Sequence, residues 1–284
     1  MIKINSELPI CMLDRNNELN EFDFILYHLY ISNEEYREFC RGQRLNYPDR
    51  LMILDNSAYE FFIRGETLDM DDFVRVINEL KPDMYILPDT LMNFQKTYND
   101  TKSFLEKYNI TCSKSMAVIQ GNTENELLAC ALLYQDLGVD GIAIPFHNSF
   151  FKEYSTASAG WANRQLLNTY QIPFKWGNTT ESLNEDMKYA AGRMQWISEH
   201  RTHLNFKHVH ILGSHCPAEK IYYNEIPVIK TMDTGYPVKC AMEGYELFKE
   251  PHKPNIIIDD FLNDDLSKDK RDLIAKNVTK FKLL

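Results

Sequence analysis

Carboxylates that directly follow short apolar runs are the residues of this sequence that first suggest chemistry. Asp55 follows Leu51-Met52-Ile53-Leu54, Asp89 follows Tyr85-Ile86-Leu87-Pro88, Asp233 follows Ile229-Lys230-Thr231-Met232, and Asp259-Asp260 follow Asn255-Ile256-Ile257-Ile258. An aspartate after a strand often does no more than cap the next helix. Several aimed into one cleft fit general acid–base work, a carboxylate nucleophile, recognition of the edge of a heterocycle, or a divalent cation. Gln120-Gly121 closes another apolar run, Ser115-Met116-Ala117-Val118-Ile119. A glutamine there either satisfies a loop backbone or reads an amide-bearing base, because it both donates and accepts. His208 and His210 share one strand face by alternation, with His215 just beyond. Zinc-ligand spacing is absent, so ordinary hydrogen-bonded histidines are the simpler reading.

The elements that must position these groups follow from hydrophobic periodicity. Apolar, β-prone runs occur at 23–31, 50–54, 83–88, 115–119, 139–145, 208–212, 227–232 and 255–259. Helical spacing fills the stretches between, for example 70–81, 93–108, 123–137, 182–200 and the tail 264–281. Thr123 with Glu126 has the spacing of a capping box, and Gly138 the position of a helix stop. Alternation of strand and helix predicts a parallel sheet, and eight strands predict an α/β fold: a (β/α)8 TIM-type barrel over residues 1–284 as one domain. In such barrels active sites lie at the C-terminal strand ends, where the residues above fall. The connection over 146–181 is too long for a simple turn and is rich in aromatics, including Phe150, Phe151, Tyr154, Trp161, Tyr170 and Trp176. It reads as an insertion after the fifth run, a functional lid or a structural cover.

A chain of 284 residues, 44% hydrophobic and 25% charged, is long enough to bury a core without a metal or disulfide. The formal charge of −10 argues against tight nonspecific binding to nucleic acid, which favours lysine and arginine. The cysteines at 11, 40, 112, 130, 216 and 240 are scattered with no CxxC pair, the pattern of thiols in a reducing compartment. Neither a signal peptide nor an apolar run of roughly 20 residues is evident. The expectation is a soluble, cytoplasmic protein.

Taken in order, the motifs resemble the tRNA-guanine transglycosylase superfamily, the queuine- and archaeosine-type enzymes and their DNA-modifying relatives. Asp55-Asn56-Ser57-Ala58-Tyr59 is similar to the family's aspartate, small residues and aromatic after a strand. Asp89 in Tyr85-Ile86-Leu87-Pro88-Asp89 fits the base-binding aspartate, and Val118-Ile119-Gln120-Gly121 resembles the "VQGG" element. Leu137-Gly138-Val139-Asp140-Gly141-Ile142-Ala143-Ile144 is similar to "GFDGYAIGG", with Pro145-Phe146 where the double glycine would stand. His210-Ile211-Leu212-Gly213-Ser214 resembles the "YLMGVG" strand, and Asp233 precedes Pro237 at the spacing of the family's nucleophile.

The resemblance implies a pentosyltransferase. Asp233 would be the nucleophile and Asp55 the general acid–base group. Asp89 and Gln120 would read the base, Tyr59 would stack on it, and Ser57, Gly121 and Gly213 would line its pocket. The family's CxCxxC-plus-His zinc site is absent, and the chain is short. The resemblance therefore points to the compact, zinc-less, DNA-modifying branch, with no cofactor or metal. Its partners would be DNA, or less readily tRNA, and a free 7-deazaguanine base, with no membrane. A homodimer or an accessory protein stays open. Lys152, Arg164, Lys175, Lys188, Arg193 and Arg201 are the expected phosphate-contacting side, unless they form an ordinary solvated face. The alternatives are an N-glycoside hydrolase using the same aspartates, a non-catalytic binding barrel and a metal-dependent barrel.

Overall fold

The computed structural model describes residues 1–146, 150–152, 185–215, 217–249, 254, 256, 262 and 265–284. Its strands are β1 (Lys3–Ser6), β2 (Asp23–Leu26), β3 (Met52–Asp55), β4 (Met84–Ile86), β5 (Lys114–Val118), β6 (Gly141–Ile144), β7 (His208–Ile211) and β8 (Ile229–Thr234). The helices are α1 (Asn16–Leu19), α2 (Tyr27–Ser32), α3 (Glu34–Asn46), α4 (Ala58–Arg64), α5 (Met70–Leu80), α6 (Phe94–Lys107), α7 (Glu124–Asp136), α8 (Glu185–His200), α9 (Pro217–Tyr223), α10 (Tyr236–Met242) and α11 (Lys268–Lys282). The strands form one eight-stranded sheet in the order β1-β8-β7-β6-β5-β4-β3-β2, which with the interleaved helices is an α/β fold of the (β/α)8 type. The residues fall into two compact units. One comprises Met1–Glu21, Ser149–Arg201 and Ile211–Leu284, the other Phe22–Asn148 and Thr202–His210.

In the second unit, β2 through β6 pair in parallel, with Leu26 beside Asp55, Leu54 beside Tyr85, Ile86 beside Met116 and Val118 beside Ala143. The helices form where the periodicity places them. Phe73, Val76, Ile77 and Leu80 of α5 are buried at i, i+3, i+4 and i+7 spacing. Asp69 caps that helix by accepting from the N–H groups of Asp71 and Asp72. Thr123 caps α7 through the Glu126 N–H, while the Glu126 carboxylate turns back to the Asn122 N–H at 2.6 Å. Gly138 follows at φ 72°, a left-handed stop that needs glycine.

In the first unit, β1 pairs with β8 in parallel, placing Asn5 beside Asp233 and Ser6 beside Thr234. Helix α11 packs against α10, and the buried Asn277 binds both the segment after α10 and the start of that helix. Its Oδ1 accepts from the Leu247 N–H, and its Nδ2 donates to the Pro237 and Tyr245 carbonyls.

Two expectations about elements need correction. The eighth strand is β1, at the N-terminus. With three of its four residues polar it is too short for periodicity to find; pairing with β8 buries Ile4, Asn5 and Ser6. Of the run expected at 255–259, only Ile256 is described, outside any strand, and Asp259 and Asp260 lie outside the described residues. The second correction is that the run 23–31 stays extended only to Leu26 and then becomes α2. Its β-prone residues are overridden by packing: the Tyr27 ring meets Phe61 and Phe73 edge-on. Most of the 146–181 insertion also lies outside the described residues. Among the described residues, no helix is long and apolar enough to cross a membrane.

Candidate functional site

Three neighbouring strand ends of the second unit carry Asp55, Asp89 and Gln120, and the last two share a polar network with Asn56. Asp55 ends β3, and its Oδ2 accepts the Ser57 N–H at 2.8 Å. Asn56 is buried and ties β3 to β4: its Nδ2 donates to the Leu87 carbonyl (2.7 Å) and to Asp89 Oδ1 (2.8 Å). The Asn56 Oδ1 accepts the Ala58 N–H at 2.8 Å, so backbone groups fix which way its amide points. Gln120, after β5, donates from Nε2 to Asp89 Oδ2 at 2.8 Å and accepts the Met92 N–H on Oε1 at 2.9 Å.

Asp89 therefore sits between two side-chain amides, one on each carboxylate oxygen. Burial pushes its carboxyl above the usual carboxylate range. The Asn56 and Gln120 donors pull it back, and the like charge of Asp100 adds a smaller push upward. Each Asp89 oxygen keeps a lone pair beyond its amide partner, so the carboxylate can accept further N–H groups.

The turn from β3 into α4 is strained. Ser57 stands at φ 58°, ψ 33°, the left-handed region that costs an L-residue roughly 1–2 kcal/mol. Its buried hydroxyl oxygen accepts the His28 N–H at 3.1 Å and lies 3.0 Å from His28 Nδ1. The Glu60 carboxylate approaches the same Nδ1 at 4.0 Å. This bracing holds the Ser57 N–H against Asp55. Ser57 is fully buried and shapes the turn. Tyr59, two residues on, is 42% exposed and presents a ring at the start of α4. Gly121 is required by packing: a Cβ there would lie 2.7 Å from the Glu126 Cβ.

The first unit holds Asp233, within β8 rather than just beyond it, and buried. Its Oδ1 accepts the Gly213 N–H at 2.9 Å and its carbonyl accepts the Ser214 N–H at 3.0 Å. Gly213 stands at φ 55°, a conformation that suits glycine and aims this N–H at the carboxylate. Asn5, the register neighbour of Asp233, is also buried.

Sequence reasoning missed Asn56, His28, Glu60 and Asn5. Asn56 adjoins Asp55, but nothing in an Asp-Asn pair says that the second residue bridges two strands. His28 lies inside a run read as strand. Arg193 corrects the expected phosphate-contacting face: it is fully buried and paired with Glu219. Arg164 and Lys175 of that set lie outside the described residues. His210 is buried, stacked on Phe24 with centroids 5.0 Å apart.

No family model matches the chain, and no curated protein matches it. The chemistry open to the site rests on its residues.

Proposed function

We propose that this chain is a base-exchanging transglycosylase that replaces guanine in DNA with a 7-deazaguanine derivative through a covalent aspartyl-glycosyl intermediate. The observation that carries the reading is the amide-bracketed Asp89. A carboxylate held by Asn56 and Gln120, with acceptor capacity left over, suits the adjacent N–H donors on one edge of guanine or a 7-deazaguanine. The exposed Tyr59 ring offers a stacking face.

Asp233 would attack C1′ of the target nucleotide. The C1′–N9 bond breaks, its electron pair leaves with the base, and the carboxyl group of Asp55 supplies the proton that the departing guanine takes up. The incoming base then gives its N9 proton to the Asp55 carboxylate and attacks C1′. That step breaks the ester bond and frees Asp233. The Gly213 N–H on Asp233 orients the nucleophile. The target nucleotide must leave its stack to react, which costs a few kcal/mol. DNA is favoured over tRNA because the chain resembles the compact branch without the zinc site.

The test is a base-exchange assay with guanine-labelled DNA or tRNA and a panel of 7-deazaguanine bases, run beside Asp233→Ala and Asp55→Ala. Label released from DNA only when a base is supplied, and abolished in both variants, is the expected result. Release without incorporation would replace the reading with an N-glycoside hydrolase on the same residues. No release from either polymer would refute both.

A further inference from the structure

A buried charge pair in the first unit lies behind Asp233, and the base-exchange chemistry does not use it directly. Arg193, on α8, and Glu219, on α9, are both fully buried. Arg193 Nε donates to Glu219 Oε1 at 2.8 Å and Nη2 to Oε2 at 2.9 Å, a two-pronged pairing. The guanidinium also turns to backbone. Nη1 donates to the Leu212 carbonyl at 2.7 Å and Nη2 to the Gly213 carbonyl at 3.1 Å. Glu219 is further held by the Ser214 hydroxyl at 2.8 Å and the Tyr223 hydroxyl at 3.1 Å. Burial beside Glu219 pushes the Tyr223 phenol far above its usual range, so it remains a donor.

We infer that Arg193, oriented by Glu219, is a positioning residue for Asp233, an assignment that rests on the reading of Asp233 as nucleophile. Holding the carbonyls of Leu212 and Gly213 fixes the peptide planes on either side of Gly213. The left-handed Gly213 then directs its N–H onto Asp233 Oδ1. Ser214 repeats the pattern, since its N–H meets the Asp233 carbonyl and its own carbonyl accepts from the Thr234 hydroxyl. The contact on Asp233 Oδ1 is thus set by a chain that runs Glu219, Arg193, the 212–213 peptide, Asp233. Lysine cannot replace this arginine. It has no planar fork to span a carboxylate and two carbonyls at once.

Amide hydrogen exchange in uniformly nitrogen-labelled protein, followed by NMR, tests the positioning without needing any substrate. In Arg193→Lys the Gly213 amide is expected to exchange at least tenfold faster, while the β1 and β8 ladder amides keep their rates. In the base-exchange assay the same variant is expected to lose at least tenfold in kcat with KM within about threefold. Tyr223→Phe deletes only one donor to Glu219 and serves if Arg193→Lys does not fold; it should speed Gly213 exchange about threefold. An unchanged Gly213 rate in a folded variant, or a rise shared equally by the ladder amides, would overturn the inference as a merely structural pair. Wild-type protein that exchanges no base would refute the function instead, and the hydrogen-exchange arm would still decide whether Arg193 positions Asp233.

Discussion

Exchanging the acid and the amide between positions 89 and 120 gives the sharpest test of the network around Asp89. Every amide in it is oriented by a backbone group: Asn56 by the Leu87 carbonyl and the Ala58 N–H, Gln120 by the Met92 N–H. Gln120→Glu alone would set two carboxylates about 2.8 Å apart, the present Gln120–Asp89 separation. At an effective dielectric constant near 20 that repulsion is about 6 kcal/mol. Binding one proton at pH 7 by an ordinary glutamate, with pKa about 4.3, costs only about 3.7 kcal/mol, so the pair takes up a proton instead. The expected destabilisation is therefore about 2–4 kcal/mol at pH 7, the lower figure allowing for the hydrogen bond the proton makes. The shared proton is bound in the folded state and not in the unfolded one, so by linkage the loss grows as pH rises and shrinks by about 1.4 kcal/mol per unit on acidification. Asp89→Asn alone would turn an amide NH2 toward the Gln120 NH2, leaving a buried donor unmet at a cost of about 1–3 kcal/mol. In the double variant the new amide at position 89 would accept from Asn56 and donate to the new carboxylate at position 120, which would still accept the Met92 N–H. Urea unfolding of the four proteins at pH 7 should give a coupling of about 2 kcal/mol or more in favour of the double variant. A double variant as unstable as the two singles summed would refute the network.

The strained turn and the helix α8 give two further tests. Ser57→Ala should lose about 2 kcal/mol with the His28 contacts, while Ser57→Gly, free of left-handed strain, should be the more stable of the two by about 1 kcal/mol in thermal unfolding. The reverse order would mean that the turn is not left-handed at that residue. Gly192→Ala, which in an open helix would gain about 1 kcal/mol, should lower Tm here, because the new Cβ would lie 1.8 Å from the Phe151 carbonyl oxygen. An unchanged or raised Tm would show that the two segments do not approach so closely.

The α/β class and most strand positions were legible in the order of residues alone. Strand periodicity and helix capping are local, and Asp69, Asn93, Thr123 and Gly138 mark helix ends through bonds to residues a few positions away. The same local pattern placed Asp55, Asp89, Gln120 and Asp233 at strand ends, since each follows an apolar run. The N-terminal strand escaped it, because β1 has too few residues for periodicity and is buried only through pairing with β8. Folding alone brings Asn56 and Gln120, 33 and 31 positions away, to bracket Asp89, and locks Ser57 to His28 across 29. It also turns Arg193, read from sequence as a surface cation, into a buried partner of Glu219. Charge and spacing cannot show this. A buried ion pair depends on which distant partner compensates the loss of solvent, and that is settled only when the chain has folded.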